Sequence, residues 1–472
     1  MAQEDTVGGA SFDKVSSSNG GAAMLSSPGP PPDGCSIGLM ALVALPRVAI
    51  MMGWASQWAV MGPLLEILVS SSAVQLVQVI GPVCGLLIVP AIGVLSDSCT
   101  SRFGRRQPFI LTGALLSIVA YILLMFADEL GQCLGDSATS RRWTTAIVVL
   151  CYIWTTITLN IAMVPTTLLM ADVVGSRQVM GSAISGLLSS LGLLVSALYI
   201  AVNGPAHQSL KSYLAILIAL LATTCGLVCW HVQEQPLVYG WRGSVKASIF
   251  AVLDGIRRLP SPLGVYFWII LLTTYGFTSY NGAKGQFFGL VVKHGTSKDA
   301  DQCGQIHKAP CSQAQMAFND GIRVAGLVDT LQLVAVFFVM ALPFLVQRFG
   351  AKRVITTSIV PQAMYIVLAF SKNVPLDVTI AVACGLTQAT ISLLIVPLIV
   401  HVVGHSQDNM LGLLNGALNS ALCIGQLVNY VVAAALVTSS MGHALPIVVG
   451  GTVSFVAFGV ALFFFHVDMF SL

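Results

Sequence analysis

Twelve long runs of apolar residues, separated by short polar links, set the pattern of this chain. They lie near residues 36–69, 73–97, 108–128, 144–171, 177–201, 210–233, 264–292, 321–347, 353–371, 375–403, 409–438 and 443–467. A helix that crosses a membrane needs about 20 mostly apolar residues. Each run therefore predicts one transmembrane helix, and the chain as a whole predicts an all-α membrane protein.

A more polar link at 234–262 divides these runs into two sets of six. We therefore predict an N-terminal six-helix half at 36–233, a central cytosolic link at 234–262 and a C-terminal six-helix half at 263–472. Residues 1–35 are rich in Ser, Gly and Pro and predict a disordered cytosolic tail. This tail lacks the basic start and short apolar core of a cleaved signal peptide.

Composition supports the membrane interpretation. Hydrophobic residues make up 56% of the 472 residues and charged residues only 9%, against about 25% charged in an ordinary soluble domain. The lipid bilayer is therefore the expected partner surface, and a net charge of +3 gives no reason to expect nucleic acid. The sequence offers no metal-ligand cluster, no phosphate loop and no nucleophile beside a base, so we expect neither an enzyme nor a cofactor or metal.

Basic residues in the links predict the orientation. Cytosolic loops carry an excess of Lys and Arg, and the links that are cytosolic when the N-terminus is cytosolic hold 11 of them, against 7 in the opposite links. Both termini are therefore expected in the cytosol. The plasma membrane is the expected location, with an internal membrane as the alternative.

The link after the second run packs an aspartate, three arginines and two glycines into a short stretch, Gly93-Val-Leu-Ser-Asp97 followed by Arg102-Phe-Gly104-Arg105-Arg106. A charge in hydrocarbon costs about 2.5–3.5 kcal/mol even on the mildest scales, so this stretch belongs at the membrane surface. Its spacing resembles the signature loop of the major facilitator superfamily. The stretch Arg348-Phe-Gly350-Ala-Lys352-Arg353 repeats it at the corresponding place in the second half.

This resemblance implies the major facilitator fold, with twelve transmembrane helices in two six-helix halves. It also implies a hinge and gate at the cytosolic surface. In that gate Asp97 is expected to pair with Arg102 or the start of a neighbouring helix, and Asp172, beside Arg177, is expected to meet them when that side closes. The predicted gating residues are Asp97, Arg102, Gly104, Arg105, Arg106 and Asp172.

A narrower resemblance runs through both halves. The stretches that carry it are Gly53-Trp54-Ala55-Ser56-Gln57, Gly81-Pro82-Val83-Cys84-Gly85, Asp320-Gly321-Ile322-Arg323 and Gly416-Ala417-Leu418-Asn419. They are similar to plant-type sucrose/proton symporters, in the glycoside-pentoside-hexuronide group of the superfamily. The resemblance implies secondary active transport of a sugar or glycoside, such as a sucrose-like disaccharide, together with a proton and by alternating access.

The chain departs from that family at three polar positions. Thr156 stands where the family has a proton-coupling acid in the fourth span, and Thr167 stands where it has an arginine. An aspartate pair of the seventh span is replaced by Tyr280-Asn281-Gly282-Ala283. The alternatives are therefore a uniporter or symporter of another small polar solute, such as an amino acid or pterin, and a membrane sensor without transport.

Charges inside the apolar runs are the next candidates, because such charges usually face a partner or a watery cavity. Arg323 falls on the family's eighth-span arginine. It is expected to bind substrate or pair with the coupling acid, or else to form a structural ion pair with Asp320 or another acid. Asp329 is the acid deepest in an apolar run and is the predicted proton-coupling group, together with Arg323. Its alternative is a polar residue packed against Gln332.

Three other charges lie within these runs. Arg47 and Glu66 are expected to snorkel to the interface because they lie towards span ends. Lys284 is expected either to line the pore or to snorkel.

Sugar recognition needs neutral hydrogen-bonding side chains and an aromatic surface. The predicted substrate-binding residues, besides Arg323, are Trp54, Gln57, Asn160, Asn415, Asn419 and Gln426. The alternative for the amides is that they join neighbouring helices, as polar residues in membranes often do.

Of the eleven cysteines, Cys303 and Cys311 share a link predicted to be non-cytosolic. A disulfide between them is one expectation. Cys133 as a competing partner, or a free thiol, is the other.

Overall fold

The computed structural model describes residues 36–137, 140–174, 178–232, 234, 250, 253–303, 310–332, 334–403 and 408–469. The predicted tail at 1–35 and residues 235–249 of the predicted link lie outside this part. Within it the chain is helical, and the strand-like pairing is confined to an isolated bridge between Ser137 and Ser140. Eleven helices of the described part are long and apolar enough to cross a membrane.

Spans 1 to 6 form the N-terminal half. Their bounds are Ile37–Leu68, Ser71–Asp97, Gln107–Met125, Arg142–Val174, Gln178–Asn203 and Leu210–His231. Each coincides with one predicted apolar run to within a few residues. A short helix, Ala127–Cys133, lies between spans 3 and 4.

Spans 7 to 12 form the C-terminal half. Span 7 is Ser261–Asn281, and spans 9 to 12 are Ala351–Phe370, Val374–Val403, Asp408–Leu436 and Ala444–Phe463. Span 8 is described as Gln313–Gln332 and Val334–Phe349, on either side of residue 333. It begins at Gln313 rather than at residue 321, because its first two turns carry polar residues that hydropathy assigns to a link.

Spans 1 and 7 are each associated with a π-helical turn. Span 1 contains a π-helical turn at Gln57–Met61, and the chain beyond span 7 forms another at Phe287–Val292. Pro46 and Pro63 each lie in the first turn of a helical segment of span 1, and a proline within a continuous span interrupts its regular hydrogen bonding. Such π-helical turns frequently occur at functional sites.

The two Arg-Phe-Gly links have the same local geometry. Their glycines, Gly104 and Gly350, take positive φ angles of 100° and 80°, a region that side chains with a Cβ rarely adopt. In each link the arginine guanidinium lies over the ring of the phenylalanine that follows it, at 4.8 Å in the first and 5.6 Å in the second. The structural repeat therefore matches the repeat in the sequence.

Each half buries its own apolar cluster. One cluster runs from Met40 to Val232, and two others draw on residues between Leu263 and Met469. Small residues bring neighbouring spans close, since a Cβ on Gly113 of span 3 would lie 2.7 Å from the backbone nitrogen of Ala162 in span 4. Close backbone approach of this kind is a main source of helix association in membranes.

The two halves meet at the end where spans 1 and 7 finish, which we call the closed end. There Gln78 Nε2 donates to the carbonyl of Gly282 at 3.0 Å, and His207 Nε2 lies 2.9 Å from Asn319 Oδ1. Arg141 forms an ion pair with Asp301 at 2.8 Å. The structure is therefore a state in which this end is shut.

The link between spans 7 and 8 carries a disulfide. Cys303 and Cys311 are bonded to each other, while Cys133 is a free and exposed thiol. The bond lies two residues beyond Asp301, the partner of Arg141. It therefore fixes the part of the link that reaches across to the N-terminal half.

Candidate functional site

Two of the predicted amides converge on Thr156 in the N-terminal half. Gln57 is 2% exposed and donates from Nε2 to the Thr156 hydroxyl at 3.0 Å. Asn160, one turn further along span 4, donates to the Thr156 carbonyl at 2.8 Å. The place of the family's acid is thus taken by a hydroxyl, which the amide of span 1 contacts directly.

Trp54 lies one turn before Gln57 on span 1. Its ring packs against the small cluster of Ile50, Leu159 and Ala162, and its indole Nε1 is buried with no hydrogen-bond partner in the described part of the chain. A buried donor without a partner costs about 1–3 kcal/mol. A polar ligand that reached this nitrogen would remove that cost.

Arg47 does not snorkel, contrary to the expectation. Its Nε donates to Ser189 Oγ and its terminal nitrogen donates to Thr167 Oγ1, both at 2.9 Å. Thr167 is the position at which the family has an arginine. The guanidinium beside position 167 therefore comes from span 1 and not from span 4. The Arg47 side chain is long enough to reach the neighbouring span.

Asp329 pairs with Lys284, and Arg323, its expected partner in proton coupling, forms no ion pair with it in this structure. The two side chains are joined by a direct salt bridge, with the Lys284 side chain 5% exposed and that of Asp329 28% exposed. Lys284 Nζ also donates to Asn281 Oδ1 at 3.0 Å and lies 6.0 Å from the ring centre of Trp58. The expectation that Lys284 snorkels is therefore wrong, since its ammonium is buried.

The alternative interpretation of Asp329 as a residue packed on Gln332 also has no support, because Gln332 donates to the carbonyl of Ala381 at 2.9 Å. Arg323 is exposed and donates to the carbonyl of Ala201 at 3.1 Å. It makes no ion pair with Asp320 or Asp329, all three lying in described helix. A role for Arg323 in substrate binding stays a prediction.

The three span-11 amides differ in exposure. Asn415 and Asn419 are exposed and Gln426 is half-buried. Cys423, one turn beyond Asn419, lies against span 2, where a Cβ on Gly85 would be 2.6 Å from its Sγ. The face that carries Asn415 and Asn419 is therefore directed towards the N-terminal half.

Arg106 is the centre of the signature link. It is 3% exposed and pairs with Asp97 at 2.5 Å and with Asp172 at 3.2 Å. It also donates to Ser96 Oγ at 2.7 Å, while Arg105 pairs with Asp172 at 2.8 Å. These contacts bind the ends of spans 2 and 4 to the start of span 3.

The structure distinguishes between the two expected partners of Asp97. Arg102 is exposed and lies over Phe103, so the pairing of Asp97 is with the start of the next helix, at Arg106. The positive φ of Gly104 turns the chain between these two arginines. Arg177, expected beside Asp172, lies outside the described residues.

Glu234, just after span 6, completes this link and was not foreseen. Its carboxylate accepts from the backbone nitrogens of Arg106 at 2.8 Å and Gln107 at 3.4 Å, capping the start of span 3. Burial raises the pKa of Glu234, although these two amides oppose the shift. A Cβ on Gly104 would collide with this carboxylate. The available signal was an acid directly after an apolar run.

Glu66 is also buried rather than at the interface. Its side chain is 5% exposed, accepts a hydrogen bond from Ser71 and lies 3.5 Å from His443 of the other half. Snorkelling is excluded because both groups are enclosed where the halves meet.

A cavity of about 870 Å³ lies at the closed end, away from these groups. Its lining includes Asp128, His207, Lys211 and Gln302, and none of the predicted substrate-binding residues. Burial lowers the pKa of His207 to about 4, so this imidazole is neutral at physiological pH. The polar groups between the halves, rather than this cavity, carry the chemistry expected of a transport site.

Comparison with known proteins agrees with this geometry. A family model described as "MFS/sugar transport protein" matches residues 64–300, about half of the chain. Sucrose transport protein SUT1 of Oryza sativa subsp. japonica is 25% identical over 320 residues, covering 61% of this chain and 57% of that protein. Sucrose transport protein SUC3 of Arabidopsis thaliana is 32% identical over 152 residues, covering 30% and 26%. The chain thus spans about half the length of SUT1 and less of SUC3.

Solved structures of other transporters share the fold. The nucleoside transporter NupG aligns over 92% of this chain and 100% of its own, with a TM-score of 0.62 at 12% identity. A D-xylose-proton symporter aligns over 90% and 97%, with a TM-score of 0.60 at 16% identity. These similarities confirm an all-α, multi-pass membrane protein with the major facilitator architecture. Together with the matched family model, they show that the chain belongs to the MFS/sugar transport protein family.

Proposed function

We propose that this protein moves a sugar or glycoside, of the size of a sucrose-like disaccharide, across its membrane by alternating access. The observation that carries the proposal is the group of neutral polar side chains on span 1 and span 4. There Gln57 and Asn160 meet at Thr156, and Trp54, one turn before Gln57, has an indole nitrogen with no hydrogen-bond partner among the described residues. Hydroxyl-rich, uncharged solutes are bound by amides, hydroxyls and an aromatic ring. The named sucrose transport relatives support the same substrate class.

The C-terminal half supplies the opposite wall in this proposal. The exposed Asn415 and Asn419 face the N-terminal half, with Gln426 two turns beyond Asn419. Arg323 completes the predicted set from span 8. Alternating exposure arises as the halves rock about the bound solute, opening the closed end and shutting the opposite one.

We propose that a proton accompanies the solute and binds at Asp329. Thr156 cannot carry a proton in the way the family's acid does, whereas Asp329 is a carboxylate inside a span whose partner, Lys284, lies on another helix. Protonation of Asp329 would free Lys284, and rearrangement of the two spans would change their separation. Proton binding is thereby linked to the conformational change.

The gate at the opposite end is proposed to be the signature link, with Arg106 holding Asp97 and Asp172 in the present state. Arg102, Gly104 and Arg105 shape this link. Cytosolic termini and residence in the plasma membrane remain part of the proposal.

Uptake by purified protein in proteoliposomes tests this function. Radiolabelled sucrose should enter faster than into protein-free vesicles and should accumulate when the outside is more acidic than the inside. Uptake without accumulation would indicate a uniporter. If sucrose, maltose and glucosides are all excluded while an amino acid or pterin enters, the sugar proposal is wrong.

Recognition by span 11 gives a further prediction. Asn419→Ala should raise the half-saturating substrate concentration by about two- to tenfold. This corresponds to the loss of one net hydrogen bond, which contributes about 0.5–1.5 kcal/mol. The matched control is Asn373→Ala, an exposed amide between spans 9 and 10, which should leave half-saturation unchanged. Equal kinetics in the two variants would show that Asn419 does not contact the solute.

A further inference from the structure

A buried acid and a buried imidazole face each other across the interface of the two halves. Glu66 lies near the end of span 1, and His443 directly precedes span 12. Their side chains are 5% and 3% exposed, with Glu66 Oε2 and His443 Nε2 3.5 Å apart. Ser71 donates to the other carboxyl oxygen, Oε1. The two facing atoms have no hydrogen-bond partner in the described part of the chain.

Among the described residues, other charged and titratable groups do not occupy this contact. On the elements packed against the last turns of span 1 and against span 12, those at the closed end are Arg142, Lys284, Tyr280, Tyr365 and Tyr430. Lys284 is held by Asp329, and Tyr280 and Tyr365 stack on each other with ring centres 5.1 Å apart. Asp377, at the start of span 10, is a buried acid of the same half. The charge of this pair is therefore set by the protons of Glu66 and His443 themselves.

Burial fixes how many protons the pair holds. An unpaired charge is costly where water is excluded, so the enclosed pair must be neutral overall. Both neutral arrangements, an ion pair or an uncharged acid facing an uncharged imidazole, contain one proton. The helix ends favour the uncharged form, because Glu66 lies at the negative C-terminal end of a helix and His443 at the positive N-terminal end of another.

We propose that Glu66 and His443 form a proton-binding latch, which takes up one proton when the closed end shuts and releases it when that end opens. Opening separates the two halves and wets both groups. In water an imidazole loses its proton near pH 6.5 and a carboxyl near pH 4.3, so above pH 6.5 the open pair holds none. Closing then consumes a proton, and rising pH favours the open state. Between about pH 4.3 and pH 6.5 both states hold one proton, so the preference is constant in that range.

Distance measurements between spin labels test the latch without knowledge of the solute, so they stand apart from the test of sugar uptake. Labels are placed on the full chain in nanodiscs at Leu134→Cys and Lys372→Cys, two exposed positions at the closed end, one on each half. The accessible native thiols are replaced by serine, and the Cys303–Cys311 bond is kept. Raising the pH from 6.5 to 8.5 should increase the ratio of long to short distances, by up to tenfold per pH unit.

Two variants separate the latch from a general pH effect. Glu66→Gln leaves an amide and a neutral imidazole. Above pH 6.5 no proton is then gained or lost between the open and closed states, so the distances should not respond to pH in that range. His443→Gln leaves the carboxyl alone, so the response should begin near pH 4.3 instead of 6.5. Glu129→Gln is the matched control, a half-exposed acid at the closed end held by Lys211, and should respond as the unmodified protein does.

Two results would overturn the proposal. One is a distance distribution of the unmodified protein that is the same at pH 6.5 and 8.5. The other is a Glu66→Gln variant that responds to pH as strongly as the Glu129→Gln control. If Glu66→Gln fails to fold, the deciding result is the pH at which the distances in His443→Gln begin to change. If that pH is the same as in the protein with His443, the latch is contradicted.

Discussion

Arg106→Ala is expected to abolish most transport and to lower the stability of the N-terminal half. The substitution removes a buried guanidinium that binds Asp97, Asp172 and Ser96 at once. Hydrogen bonds to charged groups contribute about 1.5–3 kcal/mol each to stability in favourable cases, and the partial exposure of the two aspartates reduces their share. A net loss of about 2–3 kcal/mol shifts a conformational equilibrium roughly 30- to 150-fold. Uptake and the thermal unfolding of the purified protein measure the two effects.

Arg102→Ala is the matched control for this prediction. It removes the same charge from the same link, but Arg102 is exposed and makes no ion pair with any described residue. Its uptake should stay within about twofold of the unmodified protein, as is usual for surface substitutions. Equal losses in the two variants would mean that the net charge of the link matters, and not the network around Arg106.

Asp329→Asn is expected to remove accumulation driven by a pH gradient while leaving exchange of labelled for unlabelled substrate. The amide cannot gain or lose a proton, so the solute can still cross but is no longer coupled. The variant also leaves Lys284 buried without its counter-charge, which costs about 3–5 kcal/mol. Thermal unfolding should therefore occur at a clearly lower temperature.

A second substitution separates coupling from stability. In Lys284→Gln with Asp329→Asn, no buried charge is left, so most of the stability should return. Accumulation should not return, because the proton site is still missing. Asp320 is an exposed acid of the same helix without an ion pair among the described residues. The control variant Asp320→Asn should therefore change neither the thermal stability nor the accumulation of substrate. Accumulation by the double variant would place the proton elsewhere.

The charges of this site have partners that come from other helices. Arg47 of span 1 reaches the hydroxyl of Thr167 in span 4, where the sucrose symporters resembled by this chain have an arginine within span 4. Lys284 and Asp329 likewise join two helices of the C-terminal half. A site of the same polarity can thus be assembled from different sequence positions. The packing of the whole bundle, and not the sequence of a single span, determines which side chains are neighbours.

The sequence alone determined the membrane architecture. A run of about 20 apolar residues has few alternatives to a membrane helix, so the twelve runs predicted the spans. The first two turns of span 8 were not predicted as part of it, because they are polar. The Arg-Phe-Gly links predicted the repeat, and the positive φ angles of Gly104 and Gly350 match it. These are local properties, readable from neighbouring residues.

Only the tertiary structure decided which polar groups meet. Helix geometry placed Arg323 and Asp329 about 120° apart on one span, but it could not show that Asp329 meets Lys284, 45 positions earlier. It likewise could not show that Glu66 faces His443 or that Arg106, rather than Arg102, holds Asp97. The physical reason is that the rotation and depth of each span are fixed by packing against its neighbours. The partner of a charge inside the membrane is therefore a property of the assembled bundle.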